Sequence, residues 1–138
     1  MANEAAPLIT SLSVTVPGVA VGATDSFAIG RAPVGGTVTG VSYLPDAAST
    51  GDAANKRVYT LVNKGASGAG TTVIGTLDLI AGVNLVAFDE KPFTLSVVAN
   101  ATTVAEGDVL AFVSTFAGTG LVDSGGTVKV DISRTAGA

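Results

Sequence analysis

The sequence contains no cysteine, no histidine and no tryptophan among its 138 residues. Without cysteine the chain forms no disulfide, has no thiolate nucleophile and offers no sulfur ligand to a metal. Without histidine it lacks the imidazole on which Ser-His-Asp hydrolases, Cys-His hydrolases and most zinc sites depend. The chemistry left to an enzyme is that of carboxylates, lysine, tyrosine and hydroxyl groups.

Charged residues are also scarce, at 13% of the chain against about a quarter in an ordinary domain. Seven basic and eleven acidic residues give a net charge of −4. The basic residues are scattered singly or as one pair: Arg31, Lys56, Arg57, Lys64, Lys91, Lys129 and Arg134. Nucleic-acid-binding proteins concentrate such charges and place aromatic residues between them, so we expect no nucleic-acid partner.

One uncharged run, Ala5 to Thr24, has the length of a membrane-spanning helix, which is about 20 residues. Pro7 and Pro17 interrupt the run, and between Leu12 and Val16 apolar residues alternate with Ser and Thr. This pattern indicates a strand, so we expect no membrane partner. No basic residue precedes the run, and we therefore expect no secretory leader and a location in the cytoplasm or in a particle assembled there.

Apolar and polar residues alternate with a period of two along most of the chain, whereas helical periodicity is almost absent. The alternation predicts strands over residues 12–16, 24–29, 37–43, 56–62, 71–80, 83–88, 93–98, 109–116 and 127–132. In the third strand the phase slips at Gly40, which predicts a β-bulge. Pro45 to Asn55 is rich in alanine, but Gly51 and the lack of an apolar face favour a loop.

Eight to nine short strands with turn residues between them predict an all-β fold. We expect a single antiparallel β-sandwich or barrel, jelly-roll-like, over residues 8–134. A chain of this length buries a sufficient core without disulfides or metals, and Val and Ile pack well on pleated surfaces. Residues 1–7 and 135–138 carry no core pattern, which predicts an N-terminal arm and a C-terminal tail.

Two carboxylates, Glu106 and Asp108, flank a glycine just before the apolar run V-L-A-F-V. Glycosidases use two carboxylates about 5 to 9.5 Å apart, and residues with this spacing could share one side of a strand. Gly-Asp ahead of a strand is also typical of a turn, and we favour the turn. An enzyme would have to use this pair, or Asp89 with Glu90, and no histidine is present to act as a general base. We therefore expect no enzyme.

Four further segments have some features of known kinds of site. Asp89-Glu90-Lys91-Pro92 reads as an exposed acidic loop that lacks the ligand spacing of a calcium site. The glycine-rich segments 65–70 and 118–126 lack the Lys-Ser/Thr pair and the helix of a phosphate-binding loop, so we interpret them as mobile surface loops. Asn100-Ala101-Thr102 matches a glycosylation acceptor, which we interpret as chance. We predict no catalytic residue, no cofactor and no metal.

Two segments carry a family resemblance, V-A-E-G-D-V-L-A-F-V-S-T-F at 104–116 and G-G-T-V-K-V-D-I-S-R at 125–134. Together with M-A-N-E at the start and the Gly/Thr/Val/Ala-rich strands, they resemble small structural proteins of tailed bacteriophages, in particular head decoration (cement) proteins. The G-D-x-L strand entry is similar to jelly-roll phage proteins more broadly. The resemblance implies a protein without catalysis that binds the outer surface of the capsid, often as a homotrimer, and bridges neighbouring capsomers.

The resemblance also implies that the N-terminal arm contacts the major capsid protein, which selects Asn3, Glu4, Pro7 and Leu8 as candidate contacts. Deletion of residues 1–7 is then expected to abolish capsid binding while the fold remains. An alternative is a carbohydrate- or receptor-binding β-sandwich module of a phage fibre or surface protein. Such modules usually present exposed aromatic residues, whereas Tyr43 and Tyr59 both fall within predicted strands.

Overall fold

The computed structural model describes residues 7–135, and within this range all regular secondary structure is β-strand. The strands in chain order are β1 (Pro7–Val16), β2 (Asp25–Arg31), β3 (Gly36–Pro45), β4 (Lys56–Gly65), β5 (Thr72–Asp78), β6 (Lys91–Pro92), β7 (Thr94–Leu95), β8 (Thr103–Val104), β9 (Val109–Ala117) and β10 (Gly126–Thr135). They form two antiparallel sheets that pack face to face, so the predicted all-β sandwich is confirmed.

The strand order shows how the ribbon of strands is folded. One sheet has the order β1-β10-β3-β6, with β8 also pairing with β3, and the other has the order β2-β9-β4-β5-β7. The antiparallel pairs are nested in sequence, β1 with β10, β2 with β9, β3 with β8 and β4 with β5, and successive pairs alternate between the sheets. A long antiparallel ribbon folded back on itself in this way is a jelly roll.

The nested order gives the sandwich two distinct ends. The β1–β2, β3–β4, β5–β6 and β9–β10 connections lie at one end, which we call the loop end. Isolated bridges join these connections, Val19 with Asp123 and Ser49 with Leu85. The opposite end, where β1 begins and β10 ends, is called the arm end.

The core is built from the inward phase of each strand. In β10, Val128, Val130 and Ile132 are fully buried, while Lys129 and Asp131 lie on the outer face, as the alternation predicts. Because successive side chains of a strand point to opposite faces, one apolar phase is enough to build half of a sandwich core.

Three aromatic rings join the two sheets at the centre of the core. Tyr43 comes from one sheet, and Tyr59 and Phe112 come from the other. Their ring centroids lie 4.9 to 5.5 Å apart. Aromatic pairs at this separation contribute about 0.5–1.5 kcal/mol beyond the burial of their area.

The predicted bulge at Gly40 is confirmed. The register between β3 and β10 places Gly40 opposite Asp131 and Val38 opposite Ile132, so Thr39 is the extra residue. A bulge shifts the phase of the strand by one residue, which is why the apolar positions of β3 change from even to odd numbers along the chain.

The predicted strand at 83–88 is wrong. Only Leu85 makes a bridge, with Ser49, and Phe88 has a φ of +61° in a turn. The segment crosses from one sheet to the other at the loop end, where no neighbouring strand is free to pair with it along its length. Buried and exposed residues alternate in this segment without strand pairing, because Leu85 points into the core and Val86 points to solvent as the chain passes between the sheets.

The short strands at the far edges of the sheets were poorly predicted. The strand expected at 93–98 is reduced to Thr94–Leu95, and the strand expected at 71–80 ends at Asp78. Lys91–Pro92, expected in a loop, forms β6, and Thr103–Val104 forms an unpredicted β8. A strand of two residues is too short to show an alternating pattern, so neither β6 nor β8 could be predicted in this way. Proline is tolerated in β6 because β6 is an edge strand.

Burial of the two tyrosines predicts alkaline instability. Tyr43 and Tyr59 are the only tyrosines and both are fully buried. Burial raises the pKa of both phenols far above the ordinary value, and the Asp123 carboxylate raises both further. Below pH 10 the phenols are protonated in both the folded and the unfolded state, so the free energy of unfolding is unaffected. Above pH 10 only the unfolded state releases the phenol protons, so the free energy of unfolding falls. We expect the free energy of unfolding to fall by about 2.7 kcal/mol per pH unit above pH 10, about 1.36 for each tyrosine.

The measurement is chemical unfolding at a series of alkaline pH values, followed by circular dichroism, with tyrosinate absorbance recorded in parallel. Tyrosinate absorbance should appear only as the protein unfolds. In Tyr43→Phe the slope should be halved, because one titrating phenol is gone. Tyrosinate that forms with an ordinary midpoint in folded protein would contradict the prediction.

Candidate binding surfaces

Glu106 and Asp108 lie in and beside the turn that precedes β9. Asp108 holds the turn before β9, because its Oδ2 accepts hydrogen bonds from the backbone N of Ala105 at 2.8 Å and from Nδ2 of Asn63 at 3.1 Å. Gly107 has a φ of +89°, a conformation open to glycine, and Glu106 is exposed. The turn predicted from the sequence is confirmed.

The other polar motifs lie in exposed connections. Asp89 and Glu90 are exposed, and Oε1 of Glu90 accepts a hydrogen bond from the Ser42 hydroxyl. Asn100 occupies an exposed turn with a φ of +62°. Within residues 7–135, no three acidic side chains come together in an arrangement that could hold a metal ion.

The two glycine-rich segments differ from each other. Residues 66–69 form an exposed turn, as predicted. The segment 118–126 is a loop with exposed residues up to residue 125, as predicted, but Gly120, Gly125 and Gly126 are buried, and Gly126 begins β10. A Cβ at Gly126 would meet the Leu44 carbonyl oxygen, so glycine is required there for two backbones to pack together.

Beneath the loop end lies a buried cation that the sequence analysis missed. Arg57 in β4 is fully buried. Its guanidinium donates hydrogen bonds to the carbonyl oxygens of Ala20 at 2.9 Å, Ala23 at 2.7 Å and Leu121 at 2.7 and 3.0 Å. One side chain therefore fastens the β1–β2 and β9–β10 connections to the second sheet. The sequence did contain an indication of this burial, because Arg57, Tyr59 and Leu61 occupy every second position and therefore point to the same, inward face of the strand.

Asp123 completes this cluster from the β9–β10 connection. Its side chain is buried, and its Oδ1 accepts hydrogen bonds from the Tyr43 hydroxyl at 2.7 Å and from the backbone N of Gly125 at 3.0 Å. Its Oδ2 and the Tyr59 hydroxyl are buried without a hydrogen-bond partner among the described residues. Arg57 and Asp123 act on the Tyr59 phenol in opposite directions, the cation lowering its pKa and the carboxylate raising it.

A groove of about 470 Å³ lies between the β5 edge of one sheet and β6 of the other. It is lined by Thr76, Leu77, Asp78, Ile80, Val83, Lys91, Pro92 and Thr94. Asp78 pairs with Lys56 through its Oδ2 at 2.9 Å, while its Oδ1 is buried without a partner in the described part of the chain. The lining contains no aromatic side chain on which a sugar ring could stack.

The candidate capsid contacts lie partly at the arm end. Pro7 and Leu8 are the opening residues of β1 and pair with Thr135 and Arg134 of β10. Leu8 is 43% exposed and the neighbouring Ile9 is 56% exposed. Asn3 and Glu4 lie outside the described residues. The structure therefore brings two of the four predicted contacts together, beside an exposed apolar residue that the sequence analysis did not select.

The outer side of β1 is a free sheet edge, which we call the β1 edge. Among the described strands β1 pairs only with β10, and its ten residues carry no charge. Exposed apolar side chains also occur away from this edge. At the loop end they are Val21, Leu44, Ile80, Val86, Phe88, Phe116 and Val122, and elsewhere at the arm end they are Val73, Val97 and Val98.

Comparison with known proteins provides no relative for this chain. No protein-family model, no curated protein and no solved structure matches it. Between residues 7 and 135, no helix is long and apolar enough to cross a membrane. The surfaces described above are therefore the basis for inferring the function.

The buried guanidinium predicts a large effect from a single substitution. Arg57→Met removes the donor for three backbone carbonyl oxygens, and we expect a loss of at least about 3 kcal/mol in the free energy of unfolding, about 1 kcal/mol or more for each carbonyl left without a partner. The matched control is Lys56→Met, which removes only the partly exposed ion pair with Asp78 and should cost less than about 1 kcal/mol. Guanidinium unfolding curves measure both, and equal effects of the two substitutions would contradict the assigned role.

Proposed function

We propose that this chain is a non-enzymatic structural protein that binds the outer surface of an icosahedral phage capsid and stabilises the mature shell. The sequence resemblance to decoration proteins supports the proposal. The jelly roll agrees with it, since this architecture recurs in viral capsid and lectin domains. The major capsid protein is the proposed partner, and the exterior of the virion is the proposed location.

The observation that carries the proposal is the exposed start of β1. Leu8 and Ile9 present exposed apolar side chains on opposite faces of β1 at the arm end, directly after residues 1–6 in the sequence. Burial of an aliphatic side chain contributes about 1.5–3 kcal/mol, so these two residues can supply a substantial share of a docking free energy. A protein that binds only the mature lattice stabilises that lattice by mass action.

The surroundings of two acidic residues, Asp108 and Asp123, support a role without catalysis for these two carboxylates. Asp108 is engaged in a turn, and Asp123 is buried against Tyr43 beneath the loop end. General acid–base catalysis needs a group within hydrogen-bond reach of a bound substrate, and neither carboxylate opens into the groove described above.

The groove beside β5 favours a second candidate, a carbohydrate- or receptor-binding module. The lining combines polar side chains, those of Asp78, Lys91, Thr76 and Thr94, with the apolar residues Leu77, Ile80 and Val83. Ligand sites commonly combine these features. Binding above background on a glycan array, lost in Asp78→Asn, would favour this function over capsid binding.

The test of the first function is binding to shells from the source lysate. Capsids free of this chain are titrated with it and sedimented, and the bound copies are counted against the major capsid protein. We expect saturation at a ratio set by the symmetric sites of the lattice, and a higher melting temperature of the shell. No saturable binding would overturn the function.

The contact residues are tested by a pair of double variants matched in exposure. Leu8→Ser with Ile9→Ser removes the apolar start of β1, and we expect at least a tenfold weaker affinity for capsids, since about 1.4 kcal/mol corresponds to a factor of ten. Val21→Ser with Val122→Ser makes the same change at the loop end and should bind normally. Deletion of residues 1–6, which leaves β1 whole, tests Asn3 and Glu4. Equal binding by both double variants would exclude the start of β1 as the contact.

A further inference from the structure

The β1 edge lacks the features that protect the other sheet edges. β2 has a bulge between Ala28 and Gly30 and charged residues at both ends, Asp25 and Arg31. β6, β7 and β8 have two residues each. β1 pairs with β10 over ten residues without a register shift and carries no charge. A long, regular and uncharged edge is a template for another strand.

We propose that the β1 edge pairs with the β1 edge of a second copy of this chain, antiparallel, about a two-fold axis at Leu12. In this register Leu12 faces the partner's Leu12, and each residue from 8 to 16 has an opposite residue in the other copy. Two-fold pairing is isologous, so a surface that matches itself is required. The pairing joins the β1-containing sheets of two copies into one continuous sheet.

The side chains of β1 match themselves in this register. Toward the core, Leu8 meets the partner's Val16, and the half-buried Leu12 meets its own counterpart. On the outer face, Ile9 meets the partner's Thr15, and Ser11 meets the partner's Ser13. Cross-strand pairs of β-branched residues and of hydroxyl residues are favourable, at about 0.2–1 kcal/mol each. Because β1 carries no charge, no pair in it is repulsive.

The charges of β10 slightly favour this axis over its neighbours. Asp131 lies opposite Ser11 and Lys129 opposite Ser13 on the outer face, and the Ser11 hydroxyl donates to Asp131 at 2.6 Å. With the axis at Leu12, each row across the joint sheet runs from Asp131 of one copy to Lys129 of the other. An axis at Ser11 would place the two Asp131 carboxylates in one row, and an axis at Ser13 the two Lys129 ammonium groups. The two charged residues of a row are three strand spacings, about 14 Å, apart, so the attraction or repulsion between them is weak in physiological salt.

The pairing has a consequence for capsid binding that rests on the proposed function. Because the paired strands are antiparallel, the two copies of Pro7, the first residue of β1, lie on opposite sides of the axis. One arm could then contact each of two capsomers that flank a two-fold axis of the lattice. The homotrimer implied by the sequence resemblance has three-fold symmetry and does not contain this pairing.

The register is tested with two single-cysteine chains, Ser11→Cys and Ser13→Cys, since the natural sequence has no thiol. In the proposed dimer the two positions face each other at about 4.5–5.5 Å between Cα atoms, within the range of a disulfide. Identical positions are diagonal neighbours at about 7–8 Å, beyond that range. The two variants are mixed at low concentration, concentrated and then oxidised in a glutathione buffer. We expect a disulfide-linked dimer in the mixture and none in a sample of either variant by itself. Cross-linking within either single sample, or none in the mixture, would overturn the proposal.

Light scattering of the full chain gives an independent outcome. The unmodified protein should have twice the 13.4 kDa chain mass, and Ser13→Lys with Thr15→Lys should reduce it to the chain mass by placing charges on the edge. Thr39→Lys places a lysine at an exposed position of β3, inside the same sheet, and should remain dimeric. A monomer or trimer of the unmodified chain would overturn the pairing without affecting the capsid proposal, which is decided by sedimentation with shells.

Discussion

The jelly roll depends on one buried guanidinium at the loop end. There the β1–β2 and β9–β10 connections cross from sheet to sheet, and their backbones turn carbonyl oxygens toward the core instead of toward another strand. Arginine carries five N–H donors in a fixed plane, which is enough to serve both connections from a single side chain. Arg57 donates to Ala20, Ala23 and Leu121, so the two crossings are fixed to β4 and to each other. No acidic side chain in residues 7–135 forms an ion pair with it, and backbone dipoles stabilise the charge.

The sequence predicted those parts of the fold in which one strand has a long partner. β10 could be predicted with its inward phase because Val128 to Ile132 alternate along a full-length ladder, and the slip at Gly40 marked the bulge because a bulge changes the phase. The same reasoning wrongly predicted a strand around Leu85, because buried and exposed residues also alternate in a segment that crosses between the sheets. The burial of Asp123 had no local signal at all, because it depends on Tyr43, which lies far away in the chain.

The candidate surface could be predicted only in part, for a related reason. The alternation predicted the part of β1 from residue 12 to residue 16, but it could not show that β1 begins at Pro7 or lies at a sheet edge, because strand order is set by pairings between distant segments. The exposure of Leu8 and Ile9 follows from that edge position. The turn at Asp108 was predictable because Gly and Asp act there through local backbone geometry and local hydrogen bonds. The local turn at Asp108 was therefore predicted correctly, whereas the position of β1 within its sheet was not predicted.

The nested pairing of strands also sets the order in which contacts can form during synthesis. The innermost pair, β4 with β5, closes a short turn, whereas Val16 meets Gly126 only after residues 17–125 have been made. Closure over such a span is entropically costly, and folds dominated by distant pairings are slow. β1 therefore leaves the ribosome long before β10, its strand partner in the described fold. During that interval an uncharged ten-residue strand has two unpaired edges, so the nascent chain is most prone to aggregation before its last strand emerges.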